Sequence, residues 1–209
     1  MAERVTYTTL AGRGEAEFEE KRSVFFGLAA PVSSEEQVQL LLRERRNEMP
    51  DATHHVFGYC MKRGILARYS DDGEPQGTAG MPVLEAIRRS GADDALVIVT
   101  RYFGGTLLGA GGLVRAYAHT AHLALEAAGV VTYEQYTEML LTCSYSAYQK
   151  YISQLPRFGA VMDGTDFSDR VSLRFAVKDE RTDGVLLLVQ EISAGTDTVE
   201  VTGHRFDYR

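Results

Sequence analysis

Hydrophobic and polar positions change period several times along the chain, and each change marks an element. Ser23–Ala30 (SVFFGLAA) is a β-favouring run, although the wider segment Glu15–Pro31 alternates poorly. Ser33 or Ser34 then caps a helix to about Met49, with Val38, Leu41 and Leu42 toward the core and a charged outer face. Thr53–Met61 and Ile65–Tyr69 read as strands. Pro82 stands early in the next helix, which closes at Gly91 just past two arginines. Ala95–Arg101 is almost continuously apolar, as a strand covered on both faces should be.

The spacing predicts a long helix from about Leu108 to Ala128. Arg115, His119, His122 and Glu126 fall on one stripe, and Leu113, Tyr117, Thr120, Ala124 and Ala128 fall opposite. The second stripe is mostly small, which suits close packing on a sheet, and Gly129 is the cap. Beyond it, Tyr136–Tyr145 reads as a strand, and Ser146 with Gln149 forms a capping box opening a helix. Gly159–Phe167 and Val171–Lys178 read as a hairpin, Arg181–Ala194 as a helix stopped by Gly195, and Thr198–Phe206 as a closing strand. The order β-α-β-β-α-β is the ferredoxin-like split βαβ arrangement. The boundary is placed near Val131–Gln135, giving an α+β protein with domains 1–133 and 134–209.

Composition narrows the classes. With 44% hydrophobic residues in 209, the chain can fill ordinary cores, so disorder is not expected. Cys60 and Cys143 are too few for a disulfide framework. No apolar run is long enough to span a bilayer, and Met1–Leu10 lacks a signal-peptide core, so a cytoplasmic protein without membrane contact is expected. The formal net charge is -7. Residues 1–135 carry 14 basic and 18 acidic groups and residues 136–209 carry 8 and 11, so both parts are mildly acidic. Nucleic acid could be held only by a local basic patch, because neutralising phosphates needs clustered Lys and Arg.

The candidate chemistry lies in two glycine-studded loops, each leading into a helix whose unpaired N–H groups could meet an anion. Ser70-Asp71-Asp72-Gly73-Glu74-Pro75-Gln76-Gly77-Thr78-Ala79-Gly80 is rich in acids. Arg101-Tyr102-Phe103-Gly104-Gly105-Thr106-Leu107-Leu108-Gly109-Ala110-Gly111-Gly112-Leu113-Val114-Arg115 is flanked by arginines. The second loop lacks both the Gly-Lys-Ser/Thr of a Walker A sequence and the third glycine of a dinucleotide fingerprint. Its glycines serve either an anion or tight backbone packing. The first loop fits neither EF-hand register, and its acids favour turn capping over a metal. His54-His55 and His119-x-x-His122 lack the companion ligands of a zinc site, and Cys60 on a half-apolar strand reads as a buried thiol. Lys21-Arg22 precedes a strand and alone would be a solvated edge.

Together these pieces resemble the YigZ/IMPACT family. The resemblance rests on Lys21-Arg22-Ser23 with Phe25, on Pro50–His55, on Tyr69–Gly80 with Pro82, and on Arg101–Tyr117, in order through residues 20–130. It implies a first domain like the second domain of ribosomal protein S-five and domain IV of elongation factor G. It also implies a ferredoxin-like second domain similar to that factor's domain V. Eukaryotic IMPACT proteins regulate translation under amino-acid starvation by competing for an activator of an initiation-factor kinase, through an N-terminal interaction domain expected to be missing here.

The expectation is a non-enzymatic protein that binds RNA or the ribosome and modulates translation, with no catalytic residues, cofactor or metal, and a protein partner in translation control as a further possibility. Lys21, Arg22, Arg101 and Arg115 would contact phosphate, with Gly104, Gly105, Gly109, Gly111 and Gly112 assisting and Tyr102 or Phe103 stacking on a base. His54, Ser70, Asp71, Asp72, Gly73, Glu74, Gly77 and Thr78 form the second signature loop. Two alternatives stand beside this. One is an enzyme or sensor for a small phosphorylated metabolite, with Asp71, Asp72, Glu74 or a histidine as acid–base group. The other is a protein-docking module.

Overall fold

The computed structural model describes residues 6–208, so the first five residues of the Met1–Leu10 segment lie outside it. The strands are β1 (Tyr7–Leu10), β2 (Gly14–Glu20), β3 (Ser23–Pro31), β4 (His54–Met61), β5 (Leu66–Ser70), β6 (Ala95–Tyr102), β7 (Val130–Cys143), β8 (Val161–Phe167), β9 (Val171–Lys178) and β10 (Thr198–Asp207). The α-helices are α1 (Glu35–Glu48), α2 (Gly80–Ser90), α3 (Ala110–Ala128), α4 (Tyr145–Gln154) and α5 (Thr182–Ser193). The chain divides into two compact units, Tyr7–Thr132 and Tyr133 onward. The class is α+β with antiparallel sheets.

In the first unit the strands run in the order β2-β3-β6-β4-β5, each antiparallel to its neighbour. Phe25, Val56, Val97 and Val99 pack with Val83, Ile87, Tyr117, Ala121 and Ala124 of α2 and α3. On the opposite face Leu28, Tyr59, Leu96 and Ile98 pack with Val38 and Leu42 of α1. Two covered faces explain why β6 is buried along nearly its whole length, as its unbroken apolar run predicts. The inward stripe of α3 holds too: Leu113, Tyr117, Thr120, Ala124 and Ala128 are all buried.

Three sequence expectations are corrected. The segment judged to alternate poorly contains β2, where Ala16 and Phe18 pack inward while Glu15, Glu17 and Glu19 stand exposed. Period two was present, masked by the helix-favouring composition of a glutamate-rich edge strand. Helix α4 is capped by Ser144, whose Oγ accepts from the Ala147 N–H, and not by Ser146. Helix α5 ends at Ser193, and its C-cap Ala194 is already left-handed at φ 48, one residue before Gly195.

The second unit has the order β7-α4-β8-β9-α5-β10, with strands arranged β10-β7-β9-β8, all antiparallel. Met139, Leu141, Leu173, Phe175 and Val177 form its core with Tyr151, Val185 and Val189. Among the described residues no helix is long and apolar enough to cross a membrane.

Candidate anion-binding face of the first unit

The candidate residues fall into two groups with opposite fates. The first group is tied up by partners within the fold. Asp71 turns its carboxylate onto the start of α2 and accepts from the backbone N–H groups of Gly77 (2.8 Å), Ala79 (3.1 Å) and Gly80 (2.8 Å). Ala79, at the N-cap, has no side chain able to do this, so the cap comes from across the loop. This helix start is therefore closed to an outside anion. Asp72 accepts from the His55 N–H at 2.6 Å and from Arg46 at 2.8 Å, while the Asp72 N–H donates to Ser70 Oγ. Thr78 Oγ1 donates to the Pro75 carbonyl. Gly73 and Gly77, at φ +88 and +75, let the loop turn back on itself.

Glu74 is the hub of a buried polar cluster. Its Oε1 accepts from Arg101 Nη1 at 2.5 Å and from the Tyr117 hydroxyl at 2.7 Å, with His54 Nε2 3.8 Å away. Arg101 Nη2 donates to Ser23 Oγ, and its guanidinium lies over the ring of Phe25 (5.4 Å) and over that of Phe103 (5.5 Å). Arg101 and Glu74 are only 5% and 8% exposed. Burial first, and then the bond to Glu74, push the Tyr117 hydroxyl far up, so it stays a donor. Burial, aided by Arg46, lowers the His55 imidazole. The phosphate contact expected of Arg101 is corrected here: a guanidinium neutralised and enclosed in this way serves the fold. The acid–base role considered for Asp71, Asp72 and Glu74 meets the same objection, since their oxygens are held by structural donors.

The second group stays open. Lys21 and Arg22 form the two-residue turn joining β2 to β3, both left-handed at φ 49 and 70. A primed turn of this kind normally favours glycine or asparagine, so two long cations there are held at some cost. The loop after β6 presses against them. A Cβ on Gly104 would lie 2.0 Å from the Arg22 backbone, and the Gly104 N–H donates to Ser23 Oγ. Gly105, Gly109 and Gly111 are exposed, and Gly112 is partly exposed at the start of α3. Gly109 caps α3 without any side-chain hydrogen bond, and the first turn carries no acid. Helix α3 thus keeps the free N–H groups that α2 has surrendered.

Arg115 completes this face, with Nη1 3.6 Å from where a Gly111 Cβ would stand. A hollow of about 520 Å³ is lined by Phe18, Glu20, Gly112, Arg115, Ala116 and His119, so Arg115 and the end of β2 share one depression. Among the described residues Lys21, Arg22 and Arg115 have no ion-pair partner. Tyr102 is half-buried with its ring edge-on to Phe26 at 6.0 Å, whereas Phe103 is 46% exposed. Sequence reasoning gave no site role to Ser23 or Tyr117, although both stand in the motifs that carry the resemblance, and did not name Phe18. The one available signal was Tyr117, a tyrosine on a buried stripe whose hydroxyl needs a partner.

The remaining candidates have partners of their own. His119 packs edge-on against Phe18 at 4.7 Å, and His122 lies 3.4 Å from Glu126. Burial pushes the Cys60 thiol up, as an unreactive cysteine requires. Among the described residues no cluster of three or more His, Cys, Asp or Glu could hold a metal ion.

Residues 21–125 match the family model of the Impact N-terminal domain. The chain is 30% identical over 196 residues to the IMPACT family member YvyE of Bacillus subtilis, covering 93% of this chain and 90% of that protein. The chain belongs to the IMPACT family. It is also 33% identical over 160 residues to YigZ of Escherichia coli, covering 75% of this chain and 78% of that one. A crystal structure described only as that of a hypothetical protein superposes with a TM-score of 0.59 at 28% identity, covering 95% of this chain and 98% of the other. The family match over residues 21–125 contains both the closed and the open group.

Proposed function

We propose that this IMPACT-family protein is a non-enzymatic, cytoplasmic regulator of translation that binds RNA or the ribosome through the open face of its first unit. One observation carries this reading. Among the described residues Lys21, Arg22 and Arg115 remain without carboxylate partners beside an uncapped helix start, in a chain whose net charge is -7. Three such cations beside one open helix start in an acidic protein make sense if polyanion phosphates neutralise them. The exposed glycines allow a sugar–phosphate backbone to approach the main-chain donors closely. No cofactor is needed for this role.

Domain kinship supports the reading by analogy. Residues 1–133 are read as the domain like the second domain of ribosomal protein S-five. Residues 134–209 are read as ferredoxin-like, in keeping with the antiparallel order β10-β7-β9-β8. The test is co-sedimentation with ribosomes together with RNA mobility shifts at low salt, and absence of both would refute the proposal.

A protein partner is favoured by a different feature. Helices α2 and α3 leave a groove of about 750 Å³ floored by Met81, Pro82, Ala86, Val114 and Leu125. Affinity purification comparing the wild type with Ala86→Glu would show whether a partner occupies it.

A further inference from the structure

Phe103 is almost half exposed, yet it is not a loose side chain. Its backbone N–H donates to Thr53 Oγ1 at 3.1 Å, and its ring lies over the Arg101 guanidinium at 5.5 Å. That guanidinium is itself fixed by Glu74, Ser23 and the Phe25 ring. Phe25 rests edge-on against Tyr117 at 5.2 Å. Phe25 and Phe103 thus both lie against one fixed guanidinium, and of the two rings Phe25 is fully buried and Phe103 is exposed. The next residue, Gly104, is in contact with the backbone of Arg22, so the exposed ring adjoins the unpaired cations of the hairpin turn.

We infer that Phe103 is a stacking platform for an unpaired base, so the RNA taken up at this face is single-stranded at that point. This deepens, and rests on, the RNA reading above. Base faces inside a duplex are covered by their neighbours and become available only when a strand is open. A ring already fixed in place loses little conformational freedom on stacking. Arg101 then has a different part from that of a phosphate contact: it is a positioning residue that holds the platform.

The chain contains no tryptophan, so Phe103→Trp introduces a single indole reporter at the platform. Titration of this variant with a short oligouridylate should quench the indole, whereas a duplex of the same length should leave it unchanged. Phe103→Ala should weaken single-strand binding by roughly 5- to 100-fold, the usual value of one stacked base, with the salt dependence unaltered. Phe103→Tyr should restore it, which separates loss of the ring from damage to the fold.

Three outcomes would overturn the inference. Wild-type affinity in Phe103→Ala alongside weakened binding in Arg115→Ala would remove stacking and leave the phosphate reading intact. Absence of binding to any oligonucleotide would remove both. Quenching by phosphatidylserine vesicles but not by RNA would reassign Phe103 and the exposed Leu107 to a membrane surface.

Discussion

Glu74 and Arg101 stand 27 residues apart in the chain and meet at 2.5 Å in the interior of the first unit. The pair joins the two signature loops and spends on the fold the arginine that seemed best suited to a ligand. Replacing Glu74 by Gln leaves the guanidinium enclosed and uncompensated. Urea denaturation should show a loss of about 3–5 kcal/mol, the range for breaking a buried pair. Adding Arg101→Met should recover part of it, because removing both charges is far less costly than removing one.

Asp71→Ala removes the carboxylate that accepts three backbone N–H groups at the start of α2. A loss of about 1–2 kcal/mol is expected from a missing cap, read from the shift of the denaturation midpoint.

Gly104→Ala places a Cβ 2.0 Å from the Arg22 backbone, which has no flexible end to move aside. The loop or the hairpin turn must shift, at about 1–3 kcal/mol or more. Circular-dichroism melting should show a lowered Tm, and RNA affinity should fall as the two parts of the face separate.

Arg115→Ala should weaken RNA binding and reduce the slope of log Kd against log salt by about 0.7–0.9, the equivalent of one phosphate. Arg101→Ala should destabilise the protein without that change in slope. The contrast between two arginines that flank the same loop distinguishes a ligand contact from a structural one.

The His55 imidazole, buried beside Thr100 of the neighbouring β6, is shifted down from 6.5 chiefly by burial. The unfolded chain therefore binds more protons than the folded one as pH falls below 6.5 toward the lower folded value. Its contribution is complete above that window and is lost on acidification through it. Denaturation midpoints measured from pH 7.5 to 5 should decline, and His55→Asn should flatten the decline.

Most elements of both units could be read from periodicity, because a helix or strand face needs only local spacing to declare itself. The buried stripe of α3 and the apolar run of β6 were of this kind. Strand β2 was not, since its exposed glutamates outweighed Ala16 and Phe18 in a short window. The two glycine loops could also be located, along with every cation that bears on the candidate face. Their division into closed and open groups could not, as the deciding partners lie far away in the chain: Ser23 is 78 residues from Arg101, and Tyr117 is 43 from Glu74.

The amino-acid order by itself determined most of the elements, their succession and the membership of the IMPACT family, since these depend on local pattern and on motif. The tertiary structure alone decided that Asp71 closes one helix start while α3 stays open, and that Arg101 is neutralised while Arg115 is not. The reason is electrostatic: the worth of a charge depends on its burial and on its nearest opposite charge, and both are set by chain segments brought together only on folding.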